Sequence, residues 1–159
     1  MRNLYTSTGW VGANHDSNLG VKDIAKMTRD YLKKNYSDCK FSVVKDHNSI
    51  NVALMSAPFN PFATPDVSVV SGHDARYGLD DFMKNWANSI AKGYHGVNHY
   101  YINDSRFLTD KAKVMFTSIT KFMNGYNYDD SDAMTDYFDT NFYMNLAIGK
   151  WDKPFIKTN

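Results

Sequence analysis

Residues 21–58, VKDIAKMTRDYLKKNYSDCKFSVVKDHNSINVALMSAP, decide the fold class, because a helical repeat gives way within them to a strand repeat. In the first part, apolar side chains recur at intervals of three and four residues and the opposite face is basic. That spacing predicts an amphipathic helix over residues 21–36. Residues 41–45 and 49–56 then alternate in polarity across a connection rich in turn-forming residues, so they predict a β-hairpin.

The rest of the chain predicts two more helices and two more strands. Residues 79–92 and 109–124 carry apolar side chains at helical spacing, and a glycine follows each. Residues 67–70 and 142–148 have strand character. The predicted order is α-β-β-β-α-α-β, an α+β fold in which three helices pack on one face of an antiparallel sheet of about four strands.

Size and composition favour one domain. The chain has 159 residues, of which 43% are hydrophobic and 15% aromatic, enough apolar area to form a core without covalent cross-links. We therefore expect a single domain over residues 1–159, with residues 1–20 as an irregular N-terminal arm. The apolar runs are too short to span a bilayer and no secretory leader is visible, so we expect a cytoplasmic protein without a membrane partner.

The chain offers few groups for catalysis. All 17 acidic residues are aspartate, which excludes mechanisms that need glutamate as acid, base or ligand. The single cysteine, Cys39, excludes an internal disulfide and a multi-cysteine zinc site, and it has no histidine neighbour in the sequence that would activate it. Motifs of serine hydrolases, P-loops and dinucleotide-binding turns are missing. We expect no enzyme and no catalytic residue.

Two histidines have the spacing of metal ligands. His95 and His99 are four residues apart, and Asp104 or residues 129–132 could supply a third ligand. The glycines at positions 93 and 96 disfavour the helix that this spacing would need, and packing is the commoner role of such histidines. The acidic run at 129–132 also lacks the glycine and the glutamate of a calcium loop. We predict neither a metal nor another cofactor.

The two ends of the chain have opposite charge. Residues 1–58 carry 8 basic and 5 acidic side chains, whereas residues 126–159 carry 3 and 6. The acidic end contains five aspartates within eleven residues, flanked by tyrosines. Such a stretch is either a solvated turn or a contact surface for a basic partner. On the second interpretation, the candidate partner-binding residues are Tyr126, Tyr128, Asp129, Asp130, Asp132 and Asp136.

The basic face of the first helix gives an alternative function. It could bind nucleic acid along a phosphate backbone through Lys22, Lys26, Arg29 and Lys33. An αβββα order also occurs in double-stranded RNA-binding domains. Here Asp80 and Asp81 stand where such domains place lysines at the start of their second helix. An ordinary exposed helix face is the simpler interpretation.

Residues 21–58 resemble a large polyvalent protein associated domain of phages and conjugative elements. The resemblance rests on the helix VKDIAK followed by RDYLKK, then on KFSV and on SINV in the next strand. Residues 136–155, DYFDTNFYMNLAIGKWDKPF, are similar to the closing strand of such domains. Ser37 departs from the pattern, since a proline is expected there, and residues 53–55 replace a more polar and aromatic strand end.

This resemblance implies a function in mobile elements that carry counter-defence proteins. A stand-alone chain of this size and composition resembles an anti-CRISPR protein that inhibits Cas9. The implied activity is non-enzymatic: binding of a bacterial Cas9, alone or with its guide RNA, and occlusion of its nuclease domain in the host cytoplasm. The partner would then be a protein, with direct nucleic-acid binding as the lesser expectation.

Overall fold

The helices and the longer strands begin and end close to the predicted positions in the computed structural model, which describes residues 2–64 and 79–159. Within those residues, the three α-helices are α1 Val21–Asn35, α2 Leu79–Lys92 and α3 Asp110–Gly125. Its strands are β1 Trp10–Val11, β2 Lys40–Asp46, β3 Ser49–Ala57, β4 His95–Val97, β5 Tyr128–Asp129, β6 Tyr143–Ile148 and β7 Ile156–Lys157. The predicted α+β class is confirmed.

The first helix and the hairpin form where they were predicted. Helix α1 begins after Gly20, whose backbone N–H donates to the Asp23 carboxylate at 2.9 Å. Its buried residues recur at the predicted intervals of three and four positions and are Ile24, Ala25, Thr28 and Leu32. Strands β2 and β3 pair antiparallel, and His47 in the turn between them adopts a left-handed backbone with φ of 51°.

The main sheet is mixed, so the prediction of a purely antiparallel sheet was wrong. Its strands lie in the order β2-β3-β6-β4, with β7 also paired to β3. Neighbours β2–β3 and β4–β6 are antiparallel, but β3–β6 are parallel. The chain returns to β6 only after α2 and α3, and a crossover of that length lets a strand enter the sheet from the same end as its neighbour.

Two other expectations concern the segment between β3 and α3. The strand predicted at residues 67–70 lies outside the described residues. The connection expected between the helices predicted at residues 79–92 and 109–124 contains β4, which pairs His95 with Ile148 and Val97 with Leu146. A three-residue strand with glycine at its centre is too short to show an alternation in the sequence.

The core lies between one face of the sheet and the helices. From the sheet, Ile50, Val52 and Leu54 join Leu146 and Ile148 in a single buried cluster. Helices α1 and α3 complete this cluster with Ile24, Leu32, Phe116, Ile119 and Met123. The alternate residues of β3 and β6 therefore lie on the opposite face of the sheet.

The N-terminal arm is mostly irregular, as predicted, but it is tied to the far end of the chain. Strand β1 pairs with β5, opposing Trp10 to Asp129 and Val11 to Tyr128. The backbone N–H groups of Gly12 and Asn14 donate to the carbonyls of Asn127 and Gly125, at 2.8 and 2.7 Å. The arm thus lies against the acidic stretch that the sequence singled out.

Candidate functional site

A buried amide holds the two ends of the acidic segment together. Asn127 follows α3, and its side-chain N–H donates to the Phe142 carbonyl at 3.1 Å. Its oxygen accepts the backbone N–H groups of Phe142 and Tyr128, at 3.2 and 2.9 Å. Residues 128–141 are therefore presented as a closed loop between α3 and β6.

Asp130 is an internal anchor of this loop. Asp130 is only 1% exposed. The backbone N–H groups of Tyr5 and Thr6 donate to its two oxygens at 2.6 and 2.7 Å, and the Thr6 hydroxyl donates at 2.7 Å. The Tyr5 N–H bond is the largest cause of a lowered pKa for this carboxyl, with help from Thr6 and Arg2 against the opposing effect of burial.

Asp139 and Tyr128 are also engaged within the protein. The Arg2 guanidinium forms an ion pair with Asp139 and lies 3.9 Å from the centre of the Tyr128 ring. The Tyr128 hydroxyl donates to Asp139 at 3.0 Å. Burial, followed by this bond to a carboxylate, raises the pKa of the Tyr128 hydroxyl. These contacts fix the arm to the loop.

The tip of the loop is a small closed turn. The backbones of Asp132 and Tyr137 exchange two hydrogen bonds, of 2.7 and 3.0 Å. Between them, Asp132 accepts the Met134 N–H at 3.0 Å and caps a 3-10 helix, Ala133–Thr135. Asp136 follows in the left-handed conformation, with φ of 55°, which aspartate tolerates better than most residues.

This turn displays apolar side chains in solvent. Met134 is 94% exposed and Phe138 is 62% exposed. Tyr137 is exposed beside them, and its ring lies 5.1 Å from that of the exposed Tyr5 of the arm. We call this surface the acidic knob, and it consists of Tyr5, Asp129, Asp132, Met134, Asp136, Tyr137 and Phe138.

The structure divides the six residues predicted to bind a partner. Asp129, Asp132 and Asp136 belong to the acidic knob, in which Asp136 is exposed and the other two are half-buried. Asp130 and Tyr128 hold the arm, and Tyr126 packs against Phe122 and the core at a ring distance of 5.4 Å. The sequence analysis missed Tyr5, Met134, Tyr137 and Phe138. For the last three, the only signal was apolar side chains within an acidic segment that has no helical or strand period, and Tyr5 lies in the arm, far from that segment in the chain.

The predicted nucleic-acid face of α1 is partly used by the fold. The Arg29 guanidinium donates to the Val43 carbonyl, from Nη2 at 2.8 Å and from Nε at 3.3 Å, and so ties α1 to the edge strand β2. Lys26 lies 3.4 Å from Asp30 in an exposed ion pair. Lys22 and Lys33 are exposed on the same helix.

The two histidines lie in different environments. His95 in β4 packs against Phe62 and Phe107, with ring distances of 6.4 and 4.8 Å, and burial lowers its pKa. His99 lies in the following turn against Tyr100, and burial lowers its pKa too. Within residues 2–64 and 79–159, no three histidine, cysteine or aspartate side chains are grouped so that they could hold a metal ion.

The Cys39 thiol is poorly ionised. Burial, followed by its contact with Asp38 at 3.5 Å, raises its pKa to about 11. A thiol with such a pKa is a weak nucleophile near neutral pH.

No helix in the described part of the chain combines the length and the apolarity that crossing a bilayer requires.

Comparisons with known proteins place the chain in a family. Neither the curated proteins nor the solved structures contain a match to it. Residues 19–110 match the family described as large polyvalent protein associated domain 29, from the start of α1 to the start of α3. The match includes the helix and hairpin on which the resemblance was argued and ends before the acidic knob. This match covers more than half of the 159 residues of the chain. The chain therefore belongs to the large polyvalent protein associated domain 29 family, whose domains are associated with polyvalent proteins of phages and mobile elements.

Proposed function

We propose that this protein is a non-enzymatic anti-defence protein of a phage or mobile element, which binds a bacterial Cas9 nuclease through the acidic knob and blocks cleavage of target DNA. The observation that carries the proposal is the exposure of Met134, at 94%, at the tip of a turn bordered by Asp132 and Asp136. The family membership supports the setting, since its domains accompany proteins of phages and mobile elements.

The exposed apolar side chains are suited to anchor a partner. Protein interfaces draw most of their binding energy from a few apolar or aromatic side chains that enter pockets and lose water. Met134 and Phe138 are available for this, and methionine adapts to pockets of irregular shape. The turn that carries them is held by two backbone hydrogen bonds between Asp132 and Tyr137, so little conformational entropy is lost on binding.

The carboxylates suit a basic partner. Asp132 and Asp136 flank the turn that carries Met134, and Asp129 precedes it in the same loop, whereas Asp139 is already paired with Arg2. Nucleases that hold nucleic acid have positively charged channels, and complementary charge steers association and orients the complex. A standard interface buries about 800 Å² on each partner, so the acidic knob would form its centre and the neighbouring surface its rim.

Inhibition would follow from occupancy and not from chemistry. Cleavage by Cas9 requires a mobile nuclease domain to dock on the target heteroduplex. A protein that covers the docking surface would stop cleavage while DNA binding continued. One inhibitor would then inactivate one nuclease, so the half-inhibitory concentration should track the nuclease concentration in the assay.

The test is co-purification of the full chain with Cas9 proteins, with and without guide RNA, followed by a cleavage assay. The double variant Met134→Ala/Phe138→Ala should lose at least about tenfold in affinity. Val114→Ala, which shortens an exposed apolar side chain on α3, is the matched control and should inhibit normally. The proposal is wrong if no Cas9 forms a complex, or if the double variant inhibits as well as the wild type.

A further inference from the structure

The face of the sheet opposite the helices carries an open groove. Strand register places Val44, Asn51 and Asn145 in one row across β2, β3 and β6. The next row crosses all four strands and consists of small residues, Ser42, Ala53, Ala147 and Gly96. Among the residues that the structure describes, these two rows, apart from Ser42, form the floor of a cavity of about 830 Å³.

Small side chains make this floor accessible. A Cβ atom added at Gly96 would meet no other atom within 4 Å. The adjacent row offers hydrogen bonds, because the Asn145 amide N–H donates to the Asn51 side-chain oxygen at 2.8 Å. This leaves the Asn51 N–H groups and the Asn145 oxygen to offer to a ligand.

An exposed tryptophan stands at one end of the groove. Strand β6 ends at Ile148, and the Gly149 that follows adopts a left-handed backbone with φ of 66°. The following turn is closed by the Lys150 N–H donating to the Lys153 carbonyl at 2.8 Å. It presents Trp151, which is 85% exposed, between two lysines and beside Asp152.

A tyrosine stands at the other end. Strand β4 runs antiparallel to β6, so the turn that follows β4 lies near the start of β6. In that turn, the Tyr100 N–H donates to the Asn98 side chain at 3.0 Å, and the Tyr100 ring lies 4.1 Å from the His99 ring. Tyr100 is 75% exposed. Four residues of β6, roughly 13 Å of strand, separate the two ends.

We propose that this groove binds single-stranded nucleic acid, with Trp151 and Tyr100 stacking on different bases of one strand and the Asn51–Asn145 pair contacting base edges between them. Stacking on aromatic rings contributes to the binding of unpaired strands at every stacked base and tolerates any base. A single nucleobase is too short to reach both rings, which favours a strand over a free nucleotide. Lys150 and Lys153 exceed Asp152 by one charge at the Trp151 end, which favours a phosphate there.

This inference is independent of the proposed nuclease binding. The groove uses residues of β2, β3, β4 and β6 and of the turns after β4 and β6, none of which belongs to the acidic knob. The carboxylates of the acidic knob would repel phosphates. Either surface can therefore fail its test without affecting the other.

The test is fluorescence anisotropy of labelled 15-nucleotide oligo(dT) and oligo(U) with the full chain at low salt. Binding of either strand is expected, with a matched duplex bound much more weakly. Trp151→Ala and Tyr100→Ala should each weaken binding roughly 5- to 100-fold. Gly96→Val should also weaken binding by filling the floor, and Tyr101→Ala, the exposed neighbour of Tyr100, should have no effect.

Each other result would count against the proposal. Failure of both strands to bind would overturn it, as would full binding by the Trp151→Ala/Tyr100→Ala double variant. If free nucleotide displaced the labelled oligonucleotide equally well, the groove would bind single nucleotides and not a strand. If oligonucleotide binding were lost only when Lys22, Lys26 and Lys33 are neutralised, the binding site would be the basic face of α1 and not the groove. A dimer that dissociates in Trp151→Ala, without oligonucleotide binding, would assign the groove to a second copy of the chain.

Discussion

Asp130 accepts the backbone N–H of Tyr5 at 2.6 Å, although the two residues are 125 positions apart. The same carboxylate accepts the backbone N–H and the hydroxyl of Thr6. The arm has few buried apolar side chains of its own, so these charge-assisted bonds are a main reason why it lies on the loop. The position of Tyr5 on the acidic knob therefore depends on a buried carboxylate.

The first prediction concerns Asp130→Asn. An asparagine has one acceptor oxygen and turns the other position into a donor, so it cannot accept from both Tyr5 and Thr6. We expect a lower Tm and faster amide exchange at residues 5, 6, 12 and 14, measured by hydrogen exchange with NMR. Asp136→Asn is the matched control, because asparagine also tolerates the left-handed backbone there. Unchanged exchange in Asp130→Asn would show that the arm is held by other contacts.

The second prediction is an acid-induced release of the arm. The pKa of Asp130 is lowered in the folded protein, chiefly by the Tyr5 N–H and also by Thr6 and Arg2. A carboxyl with a lowered pKa stabilises the fold fully above its unfolded pKa of about 3.9, and this stabilisation is lost as the pH falls through the folded value.

The Tyr5 and Thr6 amides should therefore stay protected from exchange between about pH 5 and 8 and lose protection below about pH 4. Arg2, Asp139 and Tyr128 also face this contact. The comparison with Asp130→Asn isolates the carboxyl, because that variant should show a weaker acid dependence. Loss of protection at the same pH in both proteins would show that the acid dependence does not come from Asp130.

The third prediction concerns the contact between α1 and α3. The rings of Tyr31 and Phe122 stack with centres 4.1 Å apart, and the Tyr31 and Ser118 hydroxyls are hydrogen-bonded at 2.6 Å. Tyr31→Phe keeps the stack and removes the bond, so it should lower the free energy of unfolding by about 0.5–1.5 kcal/mol. Urea unfolding measures this, and a double-mutant cycle with Ser118→Ala should show coupling. Additive effects would mean that the two hydroxyls do not interact.

The fourth prediction concerns the thiol. A pKa of about 11 for Cys39 leaves far less thiolate near neutral pH than the ordinary value of 9.0 would. Higher intrinsic reactivity of a more basic thiolate recovers part of this loss, so alkylation by iodoacetamide at pH 8 should be at least about tenfold slower than in the urea-unfolded chain. Equal rates would show that Cys39 is exposed and ordinary.

The elements that the sequence predicted correctly are the long periodic ones. Helices α1, α2 and α3 each have three or more turns of apolar repeat, which fixes their type and nearly their bounds. The parallel pairing of β3 with β6 was not predictable in this way, because a strand alternates in polarity whichever direction its neighbour runs. Only the long path through α2 and α3 allows it.

The candidate site was predicted in composition and not in arrangement. The cluster of aspartates was visible, but nothing local distinguishes the buried Asp130 from Asp129 beside it. That difference comes from the arm, which is more than a hundred residues away in the chain. The exposure of Met134 is equally a tertiary property, since apolar side chains without a period carry no sign of the face on which they will lie.

The fifth prediction tests the charge of the acidic knob without disturbing the fold. Reversing Asp129, Asp130 and Asp132 together would also break the arm contact, because Asp130 is buried. Asp132→Asn/Asp136→Asn removes two charges instead. Asparagine can still cap the 3-10 helix at position 132 and adopt the left-handed backbone at 136, so the Tm should stay within about 1 °C of the wild type.

If complementary charge steers association with Cas9, this double variant should bind more slowly, by several-fold at low salt, with little change in the dissociation rate. The difference should shrink as the ionic strength rises, because salt screens exposed charges. Asp30→Asn/Asp46→Asn removes the same net charge from exposed positions on α1 and the hairpin, and its association rate should be nearly normal. Equal slowing in both double variants, measured by stopped-flow or surface plasmon resonance, would mean that only net charge matters and would remove the acidic knob from the proposed interface.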